Sequence, residues 1–202
     1  MNDCSIGGEI QKSTREQQKD QRSRQILETA LDLFIRKGYA GTRIQDIAAA
    51  AGMSTGLLFH YYPSKEKLYE ELVRIGLSGT QKISTSDIHD VIEFFRQSAT
   101  MIFDVVKKSP FFAKIFVLMG QAGHNEAAPE SARKLALEVR VATDCVPLIE
   151  KGQRDGTIRE GNPVSLSVAF WSSIQGIAES IALSPELECP DPDWVVDILR
   201  KR

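Results

Sequence analysis

Apolar residues recur along most of this chain at intervals of three and four, the spacing that gathers them on one face of an α-helix. Leu27, Ala30, Leu31 and Phe34 form the first stripe, widened by Ile26 and Leu33, and Gly38 ends it because glycine enters the left-handed conformation a helix stop needs. Ile44, Ile47, Ala48 and Ala51 form a second stripe, closed by Gly52. Thr42 and Gln45 have the Thr-x-x-Gln spacing of a capping box at its start. Ser54 caps a short third helix, Thr55 to about Tyr61, and Pro63 and Ser64 break the chain before a fourth, which runs from about Lys65 past Ile75 on Leu68, Leu72 and Ile75.

A polar linker, Thr80 to Ser86, follows. Ile88, Val91, Ile92, Phe95, Ala99, Ile102, Phe103 and Val106 then fit a helix of about five turns. Ser109-Pro110 starts another, apolar nearly all round from Phe111 to Met119 and so expected to be central. From Pro129, the positions Leu135, Val139, Ala142, Val146 and Ile149 predict one helix kinked by Pro147. Asn162-Pro163 opens a long helix to about Leu183, and a last amphipathic helix spans Trp194 to Leu199. No segment alternates with period two. The fold class is all-α: an N-terminal three-helix bundle with a helix-turn-helix, followed by a larger helical domain. The expected divisions are an N-terminal arm at 1–21, which is polar, then 22–79 and 80–202.

The second and third helices are joined by Ala51-Gly52-Met53-Ser54, a tight turn with glycine at the left-handed position and a cap for the next helix. Ala48 and Ala49 let those helices approach closely. The third helix is too short to be stable alone, so it leans on its neighbours and leaves a small face exposed. That geometry suits entry into a major groove.

Composition modifies this picture in one place. The whole chain has a net charge of -2, which does not indicate a bulk polyelectrolyte partner. From Arg22 to Lys65, however, six basic residues face three acidic ones. Cys4, Cys145 and Cys189 are far apart and form no CxxC, which fits a reducing cytoplasm and no disulfide framework. His60, His89 and His124 are isolated, so no metal or cofactor is expected. Catalytic motifs are missing too: there is no GxGxxG, GxSxG, Walker loop or HExxH, and an enzyme is not expected. The longest apolar stretches are interrupted, by Lys114 in one and by Ser172, Ser173 and Gln175 in the other, short of the roughly 20 unbroken residues of a membrane span.

The run Arg24-Gln25-Ile26-Leu27, Leu33-Phe34, Lys37-Gly38-Tyr39, Thr42-Arg43-Ile44-Gln45-Asp46-Ile47-Ala48 and Ala51-Gly52-Met53-Ser54-Thr55-Gly56-Leu57-Leu58-Phe59-His60-Tyr61-Tyr62-Pro63-Ser64-Lys65 resembles the N-terminal domain of TetR-family transcriptional regulators. The resemblance implies a dimeric repressor that binds double-stranded DNA at a palindrome and is released by a small apolar or amphipathic effector. It implies that Thr42, Arg43, Thr55, Gly56, Phe59, Tyr61 and Lys65 face DNA. Phe59 stands where the family usually has Tyr, and Tyr61 where His is common. The resemblance further implies an effector cavity among the central helices, for which the candidates are Phe95, Ile102, Phe103, Phe112, Phe116, Met119, Val139, Cys145, Val146 and Trp171. Cys145 is a weak candidate redox sensor, because it has no adjacent basic residue to lower its pKa.

The long penultimate helix carries two apolar stripes, so two packing partners are expected. Phe170, Ile174, Ile177 and Ile181 form one; Val164, Val168, Trp171, Ala178 and Ala182 form the other. The homodimer interface is assigned to the first stripe, with Val195 and Leu199 of the last helix. The plainer readings are that Thr42 and Ser64 are helix caps, that Tyr62 packs inside and that the phenylalanines are ordinary core. An all-α ligand carrier, or a protein-interaction adaptor without sequence-specific DNA binding, remains the alternative function.

Overall fold

The computed structural model describes residues 14–78 and 88–201. Within them the chain is all-α, as the spacing predicts: α1 (Thr14–Gly41), α2 (Ile44–Ala50), α3 (Thr55–Tyr61), α4 (Lys65–Ser78), α5 (Val91–Lys108), α6 (Pro110–Ala122), α7 (Glu130–Ala136), α8 (Val141–Asp144), α9 (Val146–Arg154), α10 (Pro163–Leu183) and α11 (Pro192–Val196). The one extended pairing among the described residues is a single antiparallel bridge, Ile158 to Arg200.

Several boundaries differ from the sequence reading. Residues 14–21, expected in the polar arm, are the first turns of α1. Their Gln, Glu, Lys and Arg side chains are good helix formers, and an existing helix extends over them without a new nucleus. The rest of the arm and the linker Thr80–Ser86 lie outside the described residues. The single kinked helix expected from Pro129 is three helices, α7, α8 and α9. Pro147 sits in the first turn of α9, where its missing N–H costs nothing, so the chain restarts there rather than bending through it. The last helix ends at Val196, and Arg159 N–H donates to the Leu199 carbonyl at 2.8 Å while Lys201 N–H donates to the Thr157 carbonyl at 3.0 Å.

The first core gathers Ile26, Leu31, Phe34, Ile47, Leu58, Leu68 and Leu72 from α1 to α4. It does not stop at the expected boundary near residue 79. Ile115, Leu118 and Ala122 of α6 and Ala132 and Ala136 of α7 belong to the same core. Polar contacts follow the same seam: the Lys114 ammonium meets the Asp32 carboxylate at 2.6 Å, joining α6 to α1. A second core gathers Phe95, Phe103, Cys145, Leu148, Ile149, Phe170, Ile174, Val195 and Leu199. Edge-to-face ring contacts Phe95–Phe170 at 4.9 Å and Phe170–Trp171 at 5.1 Å lie at its centre. By length and composition α10 could cross a membrane, but Phe170, Ile174 and Ala178 are buried in the protein's own interior.

Glu70 of α4 is buried at 5% exposure and ties that helix to α7. Its carboxylate accepts from the Lys67 ammonium at 2.6 Å and from the Ser131 hydroxyl. These hydrogen bonds, Lys67 first and Ser131 second, hold its pKa below the ordinary 4.5. A carboxylate depressed on folding stabilises the native state above its unfolded pKa and loses that contribution as pH falls through the native value. Urea unfolding measured from pH 6 down to pH 3 should therefore show a decline in stability that is shallower in Glu70→Gln; equal slopes would remove Glu70 from the acid response.

Candidate nucleic-acid interface

The candidate interface is built at the kink that ends α1. Gly38 has φ +71 and ψ 167, a left-handed backbone that turns the chain out of the helix. Thr42 closes the resulting turn. Its hydroxyl, 1% exposed, lies 2.8 Å from the Gly38 carbonyl and 3.2 Å from the Leu33 carbonyl, and donates toward them. The capping box read at Thr42 and Gln45 is accordingly displaced by one residue. Arg43 is the N-cap of α2, and its N–H donates to the Asp46 carboxylate at 3.4 Å. With its hydroxyl turned back onto α1, Thr42 does not offer that group to a phosphate.

The α2–α3 turn follows the pattern that the sequence indicates. Gly52 has φ +67, the Met53 N–H donates to the Ala48 carbonyl at 3.0 Å, and the Ser54 hydroxyl accepts from the Leu57 N–H at 3.2 Å. α1 holds this turn from behind, because the Gln25 side-chain amide donates to the Ala51 carbonyl at 3.1 Å. The Ser23 and Tyr62 hydroxyls meet at 2.8 Å, fixing the far end of α3, and Leu58 is fully buried beneath it. Burial, the largest cause, raises the Tyr62 phenol against the opposing bond from Ser23.

Lys65 crosses from α4 to this turn. Its ammonium donates to the carbonyls of Tyr39 and Thr42, each at 2.9 Å, and sits 4.0 Å from the centre of the Tyr39 ring. Partial burial lowers its pKa, with Glu66 opposing. Tyr39 is locked in turn by Phe34 at 5.8 Å and Tyr69 at 5.1 Å, and burial, assisted by Glu66, pushes its phenol up to about 12. The phosphate role expected of Lys65 has internal competitors, since two of its three donors are spent inside the molecule.

Thr42, Arg43, Phe59 and Lys65 line one shallow hollow, together with Ala40, Ile44, Gln45 and Ser64. Gln45 and Ser64, expected only as helix caps, are surface residues of this hollow as well. Arg43 and Gln45 are exposed, and the Phe59 ring is 44% exposed. Thr55 and Gly56 lie apart from the hollow at the start of α3; a side chain added at Gly56 would meet open space. Tyr61 is half-buried, edge-on to His60 at 5.8 Å.

The expected effector residues are not brought around one cavity. Phe95, Phe103 and Cys145 are sealed in the second core, with Ile102 and Trp171 packed on it. Met119 packs on the first core and Phe116 on a smaller cluster with Val106 and Ala178. Phe112 is 42% exposed, and Val139 and Val146 are half-buried outside these cores. Burial pushes the Cys145 thiol up to about 11, so it stays protonated near neutrality and makes a poor redox sensor. A second shallow hollow follows α5, between Arg96 and Lys108, and contains none of these residues. Among the described residues no three His, Cys, Asp or Glu side chains gather as a metal set.

The dimer assignment needs correction. Phe170, Ile174, Ile181, Val195 and Leu199 are buried within one protomer, and Ile177 is half-buried against the same interior. A side chain enclosed by its own chain has no surface left for a partner. Of the other stripe, Val164 is 51% and Val168 47% exposed, whereas Trp171 and Ala182 are half-buried and Ala178 is buried; Leu183, outside both stripes, is 69% exposed, and Trp194 of α11 is 71% exposed.

The sequence profile described as bacterial regulatory proteins, tetR family, matches residues 26–72, the segment that carries the hollow. The transcriptional repressor NicS of Pseudomonas putida is 28% identical over 151 residues, covering 72% of this chain and 70% of its own. The transcriptional regulator RutR of Escherichia coli is 28% identical over 167 residues, covering 81% of this chain and 75% of its own. The fold is similar to that of AibR, crystallised with isovaleryl coenzyme A and operator DNA: the TM-score is 0.62 at 23% identity, covering 87% of this chain and 94% of AibR.

The Lys65 clamp makes a stability prediction. Lys65→Met keeps the aliphatic stem and removes two charge-assisted hydrogen bonds, which should cost about 1–2 kcal/mol in urea unfolding. An unchanged midpoint would mean that the clamp contributes nothing.

Proposed function

We propose, from the premise that this chain belongs to the TetR family of bacterial regulatory proteins, that it is a homodimeric repressor of a palindromic operator, released by a small apolar or amphipathic effector. The family is one of DNA-binding transcriptional regulators, not enzymes. The observation that carries the reading is the hollow at the end of α1, where Arg43, Phe59 and Lys65 stand together beside α3. Lys65 keeps one donor for a phosphate after serving the two carbonyls, so the residue that shapes the surface also binds the ligand. Thr55, Gly56 and Tyr61 extend the contact along α3. The chain works where the DNA is, in the cytoplasm.

In this reading residues 22–79 are the DNA-binding part and residues 80–202 hold the effector and the second subunit. The effector site lies among the helices around the second core, whose aromatic side chains suit an apolar ligand. α6 is the coupling element. It touches α1 through Lys114–Asp32 and meets α4 closely at Gly76, where an added Cβ would fall 2.5 Å from the Met119 sulfur. A shift of α6 on ligand binding would move α4 and change the spacing of the two recognition helices, a negative coupling of about 1–3 kcal/mol.

The dimer forms on the exposed stripe of α10. Val164 and Val168 begin it, Ser172, Gly176 and Ser180 continue it at intervals of four, and Leu183 ends it. The small residues permit close approach of a second helix, and a stable interface needs roughly 1,600 Å² of buried surface in all.

Selection of bound sequences from a random duplex pool should yield a palindrome whose half-sites are about one helical turn apart; recovery of no common sequence would reject the repressor reading. Sedimentation should show Val168→Glu as a monomer that keeps its helical spectrum. Phe170→Ala, cut from the core, should instead remain dimeric and lose about 3–5 kcal/mol of stability. A dimeric Val168→Glu would place the interface elsewhere.

A further inference from the structure

The recognition helix is poor in the side chains that read purines. Guanine and adenine edges in the major groove are distinguished chiefly by paired hydrogen bonds, from Arg or Lys in the first case and from Asn or Gln in the second. None of these four residue types occurs between Thr55 and Tyr61. The exposed members of α3 are Gly56, Phe59 and His60. Gly56 has no side chain, and the Phe59 ring, 44% exposed, cannot make a hydrogen bond to base or phosphate.

Two exposed side chains of these four types share the hollow with Phe59 instead, Arg43 at the N-cap of α2 and Gln45 within that helix, and of the two Arg43 has the planar fork of paired donors. The acidic neighbour that could neutralise it is occupied: the Asp46 carboxylate accepts from Arg43's own backbone N–H at 3.4 Å and lies 3.9 Å from the Lys37 ammonium. Among the described residues no ion pair engages the Arg43 guanidinium.

We propose that base readout is divided between the two helices: Arg43 of α2 reads a guanine edge through its paired donors, and Phe59 of α3 reads the methyl group of a thymine in the same half-site. This rests on the DNA-binding reading above and assigns Arg43 to a base rather than to phosphate. The apolar ring then has a reason to face a charged polymer, since the thymine methyl is the apolar group that the major groove displays.

The two roles of Arg43 separate by experiment. Lysine keeps the charge and loses the planar fork. The full-length chain and its Arg43→Lys and Phe59→Ala variants are each passed through selection from a random duplex pool, then titrated on the selected duplex and on random duplex. Both positions are exposed, and thermal melting followed by circular dichroism checks that the variants fold. Arg43→Lys should bind random duplex within about twofold of the parent, yet lose discrimination for guanine at one position of each half-site by on the order of tenfold. Replacing dT by deoxyuridine at the thymine position removes only the methyl group. That should weaken the parent roughly fourfold and leave Phe59→Ala unaffected. An Arg43→Lys variant that retains the guanine preference, or weakens equally on every sequence, would make Arg43 a phosphate ligand and overturn the proposal. Indifference of the parent to the deoxyuridine exchange would overturn the role of Phe59. Failure of the parent to select any sequence is a different result, and would remove the DNA-binding reading itself.

Discussion

Everything on the reading surface depends on how the end of α1 is tied down. A chain leaving a helix through a left-handed glycine exposes carbonyl groups that need partners. Here the Gly38 carbonyl has the Thr42 hydroxyl, and those of Tyr39 and Thr42 share the Lys65 ammonium. The lysine belongs to the next unit of the chain, so one charge sets the position of α2 and α3 relative to α4. The aromatic set Phe34, Tyr39 and Tyr69 supplies the apolar floor beneath it. The surface proposed for DNA is thereby held in shape by the protein's own contacts.

The same seam continues into the rest of the molecule. The first core takes in α6 and α7, so α1 to α4 are not packed as an independent bundle. Asp32 to Lys114 and Glu70 to Ser131 are polar fastenings on that seam. Their partners are 82 and 61 residues apart in the chain. Movement of α6 or α7 is therefore felt in α1 and α4 through direct packing, which is the physical requirement for communication between two sites.

Much of the fold was legible because helical periodicity is a local signal. α2, α3, α4 and α6 begin where their capping residues or prolines place them, give or take a residue, and the Gly52 turn has the conformation its sequence implies. Boundaries went wrong where local signals compete. Thr42 reads as a cap from spacing alone, but its hydroxyl is claimed by carbonyls of the preceding helix. Pro147 reads as a kink, although a proline can equally open a new helix. The expected site residues are only partly brought together: Thr42, Arg43, Phe59 and Lys65 share a hollow and Thr55, Gly56 and Tyr61 do not line it, while Thr42 is enclosed and two of the Lys65 donors are taken.

By itself, the sequence determined the helices, the helix-turn-helix and the local positive excess around it, because propensity, capping and charge density are properties of neighbouring residues. It also determined that α10 has two apolar stripes. How each stripe divides between core and surface was decided only by the tertiary structure. Phe170 and Ile174 turn inward because Phe95, Ile149 and Leu199 are there to receive them, and Val164 and Val168 are left outside. Two faces of similar hydrophobicity cannot be ranked from the helix that bears them; the ranking is made by the neighbours that each face meets when the chain folds.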